Sequence, residues 1–179
     1  MAIIKVIDKK FKPYISAEKL SARVKELAIE INTEYKDKRP LFIAILNGSF
    51  MFASDLFKGL TIDAEICFIK LASYKGTRST GNVITAIGLD EPLQNRHVVI
   101  IEDIVDTGKT LHMFLPQLYN QQPASLKITA LLHKPEALAH PVQIDFLGFN
   151  VPDIFLLGYG LDYDGLGRNL PEIYQLVED

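Results

Sequence analysis

Hydrophobic residues along the chain gather in short continuous runs that are separated by polar, glycine-containing segments. Residues 41–46, 98–101 and 126–132 are largely apolar, and β-branched side chains are frequent among them. This pattern is typical of strands that are buried on both faces of a parallel sheet. Less continuous runs predict further strands at residues 3–7, 62–71 and 85–88.

Apolar residues at helical spacing separate several of these runs. After Ser16, a predicted N-cap, five apolar side chains fall on one helix face: Leu20, Val24, Leu27, Ala28 and Ile31. Further helices are predicted to follow residues 49 and 110. The alternation of strands and helices predicts an α/β fold, in which a central parallel sheet is flanked by helices and binds its ligands at the carboxyl ends of the strands.

The composition of the chain argues against several classes of protein. The 179 residues are most economically a single domain, and a net charge of −3 with a pI of about 5.8 argues against a broad basic surface for nucleic acid. The sequence shows neither a signal-peptide pattern nor a run of the ~18 apolar residues that a membrane span requires. We therefore expect a cytoplasmic protein with neither nucleic-acid nor membrane partners.

The densest polar chemistry lies in a strand–turn–helix unit at residues 98–112. The strand leads into a series of acidic, hydroxyl and glycine residues: Glu102, Asp103, Asp106, Thr107, Gly108, Lys109 and Thr110. Free N–H groups at a helix start, with hydroxyls and a glycine beside them, suit a phosphate. The carboxylates repel phosphate because the charges are alike, and they suit sugar hydroxyls, a hydrated divalent cation or proton transfer. A phosphorylated ribose would satisfy both halves.

Two other interpretations of this unit fit its residues less well. Gly108-Lys109-Thr110 ends like a Walker P-loop, but that motif requires glycine at position 103, where this chain has Asp103. The second interpretation is an ordinary turn with a capping threonine and solvated acids. The concentration of polar residues over the whole stretch weighs against it.

The sequence Glu-Asp-Ile-Val-Asp-Thr-Gly-Lys-Thr at 102–110 resembles the phosphoribosyl pyrophosphate signature of the type I phosphoribosyltransferases. Within that family it is most similar to the signature of the hypoxanthine-guanine members. Four separated motifs between about residues 41 and 170 agree with the family in order. The resemblance implies that Glu102 and Asp103 hold the ribose hydroxyls and that Asp106 is the general base. It also implies phosphate binding by residues 107–110.

A second strand–turn–helix unit ends its strand at Leu46, Asn47, Gly48 and Ser49. By itself an Asn-Gly-Ser turn is a weak signal. The resemblance implies that this turn binds pyrophosphate through backbone N–H groups and that the Leu46–Asn47 peptide is cis. Asn47 stands where mammalian-type members have Lys, so a direct ammonium contact is lost.

The remaining similarity to the family lies just after the strand predicted at residues 126–132 and in the tail. The resemblance implies that Lys134 donates to the exocyclic oxygen of a purine, that Phe155 stacks on the ring and that the Leu156 backbone reads the base edge. It further implies that Arg168 contacts pyrophosphate and that Asp162 binds magnesium together with Glu102 and Asp103. Because these residues must reach one site, the N-terminal segment and the tail, at about residues 145–179, are predicted to form a small hood lobe.

Residues 73–82 are polar, rich in glycine and basic, which is also the pattern of a long hairpin loop. The resemblance implies a lid that begins at Ser73 and Tyr74 and closes over the active site. Such closure would exclude water from the reacting centre.

Together the resemblance implies transfer of phosphoribose from phosphoribosyl pyrophosphate to N9 of a 6-oxopurine in purine salvage. Mg²⁺ is the expected cofactor, and a homodimer or homotetramer is the expected assembly. Two rival functions share the signature. One is a phosphoribosyl-binding regulator, which would need a basic surface to bind nucleic acid. The other is a phosphoribosyltransferase for another base, which would not need Lys134 and Phe155.

Overall fold

The computed structural model describes residues 3–74 and 83–177. Its elements, in chain order, are β1 (Ile4–Val6), β2 (Lys9–Ile15), α1 (Ala17–Glu34), β3 (Leu41–Leu46), α2 (Phe50–Lys58), β4 (Glu65–Tyr74), β5 (Val83–Ile87), β6 (His97–Val105), α3 (Lys109–Tyr119), β7 (Ser125–His133), β8 (Phe146–Asn150), β9 (Leu156–Leu157) and β10 (Ile173–Leu176).

Within the described residues, six strands form the larger sheet in the order β5-β4-β3-β6-β7-β8. Neighbouring strands are parallel except for β5, which pairs antiparallel with β4 at one edge. The predicted central strands β3 and β6 are confirmed, and their apolar runs are buried. Because side chains alternate along a strand, each of these strands contributes to two cores. Helices α1 and α2 cover one face and α3 covers the other.

Helix α1 forms as its sequence predicts. The Ser16 hydroxyl accepts a hydrogen bond from the Lys19 N–H at 3.4 Å and caps the first turn. The five apolar residues predicted for one face are the ones that are buried against the sheet. Helices α2 and α3 lack such a side-chain cap, and both begin next to the ends of central strands.

The N-terminal strands and the end of the chain form a second, four-stranded sheet in the order β1-β2-β10-β9. The sequence analysis assigned residues from about 145 onward to this lobe, but β8 instead forms an edge strand of the larger sheet, beside β7. Arg23 of α1 secures β8 by donating to the carbonyls of Leu147 and Gly148 at 2.7 and 3.2 Å.

Strand β6 also extends further than predicted. The predicted strand ends at residue 101, whereas the hydrogen-bonded ladder with β7 continues to Val105 because Ile104 and Val105 pair with Leu132 and His133. Glu102 and Asp103 therefore lie within the strand rather than in the turn. Adjacent residues of a strand point to opposite faces, so the two carboxylates approach the end of β6 from its two sides.

Candidate active site

The turn between β6 and α3, residues 106–108, is built around Gly108. Its φ of +74° is in the left-handed region that favours glycine. A Cβ at Gly108 would collide with the His140 carbonyl, so the loop at 139–140 packs closely on the turn. The Thr107 carbonyl accepts from the N–H groups of Ala139 and His140 at 3.1 and 2.9 Å, which holds the turn in place.

This turn encloses a small cavity of about 80 Å³. Its lining includes Glu102, Asp106 and the predicted phosphate-binding residues Thr107, Gly108, Lys109 and Thr110. Gly108 has no side chain with which to cap α3, and although the Lys109 N–H donates to Thr107 Oγ1 at 3.4 Å, the first turn of a helix carries further N–H groups that lack a partner within the helix. The cavity thus joins anion-binding N–H groups to two carboxylates, as a phosphorylated sugar requires.

Glu102 and Asp103 are held in an environment that disfavours their charge. Burial and the neighbouring Asp103 raise the pKa of Glu102 well above its usual range. Burial raises the pKa of Asp103 to about 6, while backbone N–H groups and the Arg168 guanidinium oppose the rise. Among the described residues, Glu102 Oε2 is a buried oxygen with no hydrogen-bond partner. A hydroxyl group or a cation at this position would supply the missing interaction.

The β3–α2 turn, residues 46–49, contains the cis peptide at Leu46–Asn47 that the resemblance implies. The Ser49 hydroxyl is fully buried and donates to the Ile45 carbonyl at 2.6 Å, so it does not cap α2. Gly48 lies directly against the Asp103 carboxylate, where a Cβ would overlap the carboxylate oxygen. The turn therefore offers its backbone, and Gly48 brings that backbone close to β6.

The turn of residues 158–160, which we call the glycine turn, closes the other side of the β3–α2 turn. Gly160 packs so closely on the Gly48 carbonyl that a Cβ would overlap it. Arg168 donates to the Gly160 carbonyl at 2.7 Å and forms an ion pair with Asp162, also at 2.7 Å. The predicted pyrophosphate ligand and the predicted metal ligand thus contact each other, and both lie next to the β3–α2 turn.

Lys134 follows β7 and is 8% exposed. Its ammonium group lies between two carboxylates, at 3.2 Å from Asp106 Oδ2 and 3.1 Å from Asp153 Oδ1. The predicted base-recognition lysine is thereby joined to the predicted general base. Asp153 was missed by the sequence analysis, since no local pattern relates it to Lys134, 19 residues earlier.

Phe155 is 44% exposed, which leaves a ring face free for a planar ligand. Its ring packs against Phe11 and Tyr163, at centroid distances of 6.2 and 5.8 Å. Leu156 is buried in β9 and pairs with Gln175 of β10. The second sheet therefore supplies a partly exposed aromatic surface two residues after Asp153.

The described residues contain no group of three or more His, Cys, Asp or Glu side chains able to hold a metal ion by themselves. The predicted ligands Glu102, Asp103 and Asp162 nevertheless fit a hard cation in kind, because all are carboxylates and one has an unpartnered buried oxygen. Mg²⁺ commonly takes one or two protein carboxylates and completes its shell with water and substrate phosphates. The donor set fits a metal that arrives with its substrate.

Two further observations delimit the site. The backbone of Ser73 and Tyr74 ends β4, paired with β5, but their side chains and residues 75–82 lie outside the described residues, and so does most of the predicted lid. A larger cleft of about 640 Å³ lies near the amino ends of β3 and β4. It is lined by residue 32, residues 35–39 and residues 61–63. It contains none of the predicted site residues.

Comparison with known proteins agrees with this geometry. The family model for the phosphoribosyl transferase domain matches residues 14–164. The hypoxanthine phosphoribosyltransferase of Buchnera aphidicola is 44% identical over 93% of this chain and 96% of its own. The hypoxanthine-guanine-xanthine phosphoribosyltransferase of Tritrichomonas foetus is 41% identical over 89% of this chain and 87% of its own.

A solved structure gives the same result. The crystal structure of a hypoxanthine-guanine phosphoribosyltransferase from Bacillus anthracis superposes with a TM-score of 0.85 at 36% identity, covering 93% of this chain and 98% of its own. The fold, the family model and the relatives point the same way. The chain belongs to the phosphoribosyltransferase family, among its hypoxanthine-guanine members.

Proposed function

We propose that this protein transfers phosphoribose from phosphoribosyl pyrophosphate to N9 of hypoxanthine or guanine, forming the nucleoside monophosphate and pyrophosphate in purine salvage. The observation that carries this proposal is the buried Lys134 ammonium beside Asp106, which is one of the residues that line the cavity of the β6–α3 turn. A cation that can donate to a purine oxygen thus stands next to a carboxylate that can accept a purine proton.

The reaction forms the N9–C1 bond as the bond from C1 to pyrophosphate breaks, and the leaving pyrophosphate takes the bonding electrons. Residues 107–110 bind the 5-phosphate at the start of α3, and Glu102 and Asp103 hold the ribose hydroxyls. Asp106 accepts the proton that leaves N7 of the purine. Its side chain is 47% exposed, so a ligand in the cleft can reach it.

The β3–α2 turn receives the leaving group. Backbone N–H groups there, assisted by Arg168, stabilise the negative charge that develops on pyrophosphate as C1 acquires oxocarbenium character. This arrangement needs no side-chain ammonium at Asn47, since the backbone is the donor.

Base selection follows from the groups around Lys134. Its ammonium donates to the 6-oxygen of the purine, Phe155 stacks on the ring and the backbone of Leu156 contacts the base edge. Adenine presents an amino donor where Lys134 requires an acceptor. Xanthine retains the 6-oxygen, and the similarity to the Tritrichomonas foetus enzyme makes it a third candidate base.

Family membership implies a requirement for a divalent metal, and we propose Mg²⁺ held by Glu102, Asp103 and Asp162 together with the substrate. When bound, it would neutralise charge on the pyrophosphate oxygens. We further propose that the chain acts as one domain with its second sheet as a hood, that Ser73 and Tyr74 begin a closing lid, and that the enzyme is a cytoplasmic homodimer or homotetramer. No helix in the described residues is long and apolar enough to cross a membrane.

The test is an assay of the purified protein with labelled phosphoribosyl pyrophosphate and Mg²⁺ against hypoxanthine, guanine, xanthine, adenine and pyrimidine bases. We expect turnover with the 6-oxopurines and little with the others. Efficient use of adenine or a pyrimidine would identify a phosphoribosyltransferase for another base. Binding of phosphoribosyl pyrophosphate without turnover of any base would favour the regulator.

A further inference from the structure

Tyr159, in the middle of the glycine turn, makes a contact that the proposed mechanism does not use. Its hydroxyl donates to Asp55 Oδ2 of α2 at 2.7 Å, across 104 residues of sequence, and its side chain is buried. Helix α2 is the helix that begins at the β3–α2 turn. The hydrogen bond therefore joins the turn at one side of the proposed pyrophosphate site to the helix that extends from the other.

The backbone contacts around this bond are unusually close. Gly160 lies against the Gly48 carbonyl, and Gly48 in turn lies against the Asp103 carboxylate. Neither contact leaves room for a Cβ, so a small displacement of the glycine turn would reach the β3–α2 turn and β6. The position of residues 158–160 thus defines one wall of the site.

The local backbone conformation also indicates a role for the side chain. Tyr159 has a φ of +49°, in the left-handed region, where a bulky residue is disfavoured relative to glycine or asparagine. Such a conformation persists when surrounding structure holds it. Here the Tyr159–Asp55 hydrogen bond and the burial of the ring provide that restraint.

The acceptor is a charged one. Burial alone would raise the pKa of Asp55, but hydrogen bonds from Lys58, at 2.6 Å, and from Tyr159 outweigh it and lower the pKa below its usual value. Hydrogen bonds to an ionised acceptor are shorter and stronger than neutral ones. The Tyr159–Asp55 hydrogen bond is therefore a strong link between the glycine turn and α2.

We propose that Tyr159 and Asp55 are positioning residues for pyrophosphate: their hydrogen bond holds the glycine turn against the β3–α2 turn, so that the N–H groups of Gly48 and Ser49 stay aligned with the leaving group. This inference rests on the proposed function and deepens it. Neither residue touches substrate, and both act through the backbone of Gly48 and Gly160.

The experiment measures the reverse reaction, nucleoside monophosphate plus Mg²⁺-pyrophosphate, in Tyr159→Phe, Asp55→Asn and the double variant. We expect Tyr159→Phe to raise the KM for pyrophosphate about ten-fold, while the KM for the nucleotide changes less than about two-fold, as for groups coupled within one network. The double variant should show a smaller effect than the product of the single ones. Tyr35→Phe, the same change at a buried tyrosine that ends α1, is the matched control and should leave both KM values unchanged.

Direct titration with Mg²⁺-pyrophosphate should show the same loss of affinity in Tyr159→Phe. Two outcomes in an otherwise active enzyme would overturn the inference alone. In one, Tyr159→Phe keeps the parent's KM and affinity for pyrophosphate. In the other, kcat falls and the KM values for pyrophosphate and nucleotide rise to the same extent. A parent that forms no phosphoribosyl pyrophosphate from nucleotide and pyrophosphate overturns the proposed function and the inference with it.

Discussion

The two turns that follow the central strands have opposite characters, although both join a buried strand to an uncapped helix. The β6–α3 turn presents side chains: Asp106, Thr107, Lys109 and Thr110 reach a cleft, and only Gly108 is buried. The β3–α2 turn buries Gly48 and Ser49 and commits the Ser49 hydroxyl to its own strand. We therefore expect the first turn to act through its side chains and the second through its backbone.

This difference determines how each turn responds to mutation. In the β6–α3 turn, a change of functional group at constant shape removes chemistry. In the β3–α2 turn, a change of shape at constant polarity should impair pyrophosphate binding, because close contacts with Asp103 and Gly160 position the backbone. The predictions below test this contrast, from the largest effect to the smallest.

Asp106→Asn retains the size of the side chain and removes its ability to accept a proton. We expect kcat to fall by ~10²-fold or more, the usual contribution of a general base, while the affinity for phosphoribosyl pyrophosphate changes little. Steady-state kinetics with hypoxanthine, together with titration by phosphoribosyl pyrophosphate, measure both quantities. A variant with the kcat of the parent would falsify the assignment of Asp106.

Lys134→Ala removes the cation between Asp106 and Asp153 and the proposed donor to the purine oxygen. Loss of a charged donor costs ~1.5 to 3 kcal/mol, so kcat/KM for hypoxanthine should fall by about one to two decades. Lys127→Ala is the control, because Lys127 lies on β7, the strand that Lys134 follows, and is ion-paired to Glu34, away from the site. Equal effects of the two substitutions would sink the role of Lys134 in base recognition.

These two residues also mark what the sequence could predict. Asp106 lies in a run of acids, hydroxyls and glycine whose chemistry is local, so a phosphate site beside carboxylates could be predicted from residue types and spacing, whereas the role of Asp106 as the general base is implied by the resemblance. Lys134 was assigned only by resemblance, since a lysine at a strand end is ordinarily solvated. Its burial depends on Asp153, and the Asp55–Tyr159 pair likewise depends on contacts between distant segments. No local pattern encodes such contacts.

The β3–α2 turn illustrates the same limit for the backbone. Asn-Gly-Ser is a common turn sequence, and neither the Gly48–Asp103 contact nor the Gly160–Gly48 contact can be inferred from it. The strand boundary at β6 was wrong for a related reason. Acidic residues are rare within strands, so Glu102 and Asp103 suggested a turn, whereas pairing of Ile104 and Val105 with β7 extended the ladder past them.

Gly48→Ala tests the backbone character of the β3–α2 turn. The added methyl group would overlap the Asp103 carboxylate, and overpacking typically costs about 1 to 3 kcal/mol. We expect the KM for pyrophosphate in the reverse reaction to rise about ten-fold, with kcat affected less, because the turn must shift. Gly59→Ala is the control, because its Cβ would also be too close to a neighbour, Ala28 Cβ at 2.7 Å, but at the far end of α2, so it should alter pyrophosphate binding much less. If both variants bind pyrophosphate as the parent does, the close contact at Gly48 has no functional role.

The last prediction concerns Asp103, which lies between the two turns. Its pKa is raised from an ordinary value of 3.8 to about 6, chiefly by burial. Between these values the folded protein binds a proton that the unfolded chain releases, so this carboxyl's contribution to the free energy of unfolding is complete below pH 3.8 and is lost as pH rises through about 6.

The Asp103→Asn variant has no titrating group at this position. Its free energy of unfolding should therefore not show the decrease with rising pH that the Asp103 carboxyl causes in the parent. Relative to the parent, the variant should gain about 2 kcal/mol of stability between about pH 4 and pH 7, in the absence of metal and pyrophosphate. Urea unfolding across that range measures the difference. Asp8→Asn serves as the control: a hydrogen bond from Tyr163 lowers the pKa of the exposed Asp8, so its contribution to stability is lost only as pH falls below 3.8, and its difference from the parent should be constant between pH 4 and pH 7. Parallel stability curves for the parent and Asp103→Asn would show that the strand holds this carboxylate without an electrostatic cost. The β6 side of the site would then resemble the β3–α2 turn, where position rather than charge is what the fold controls.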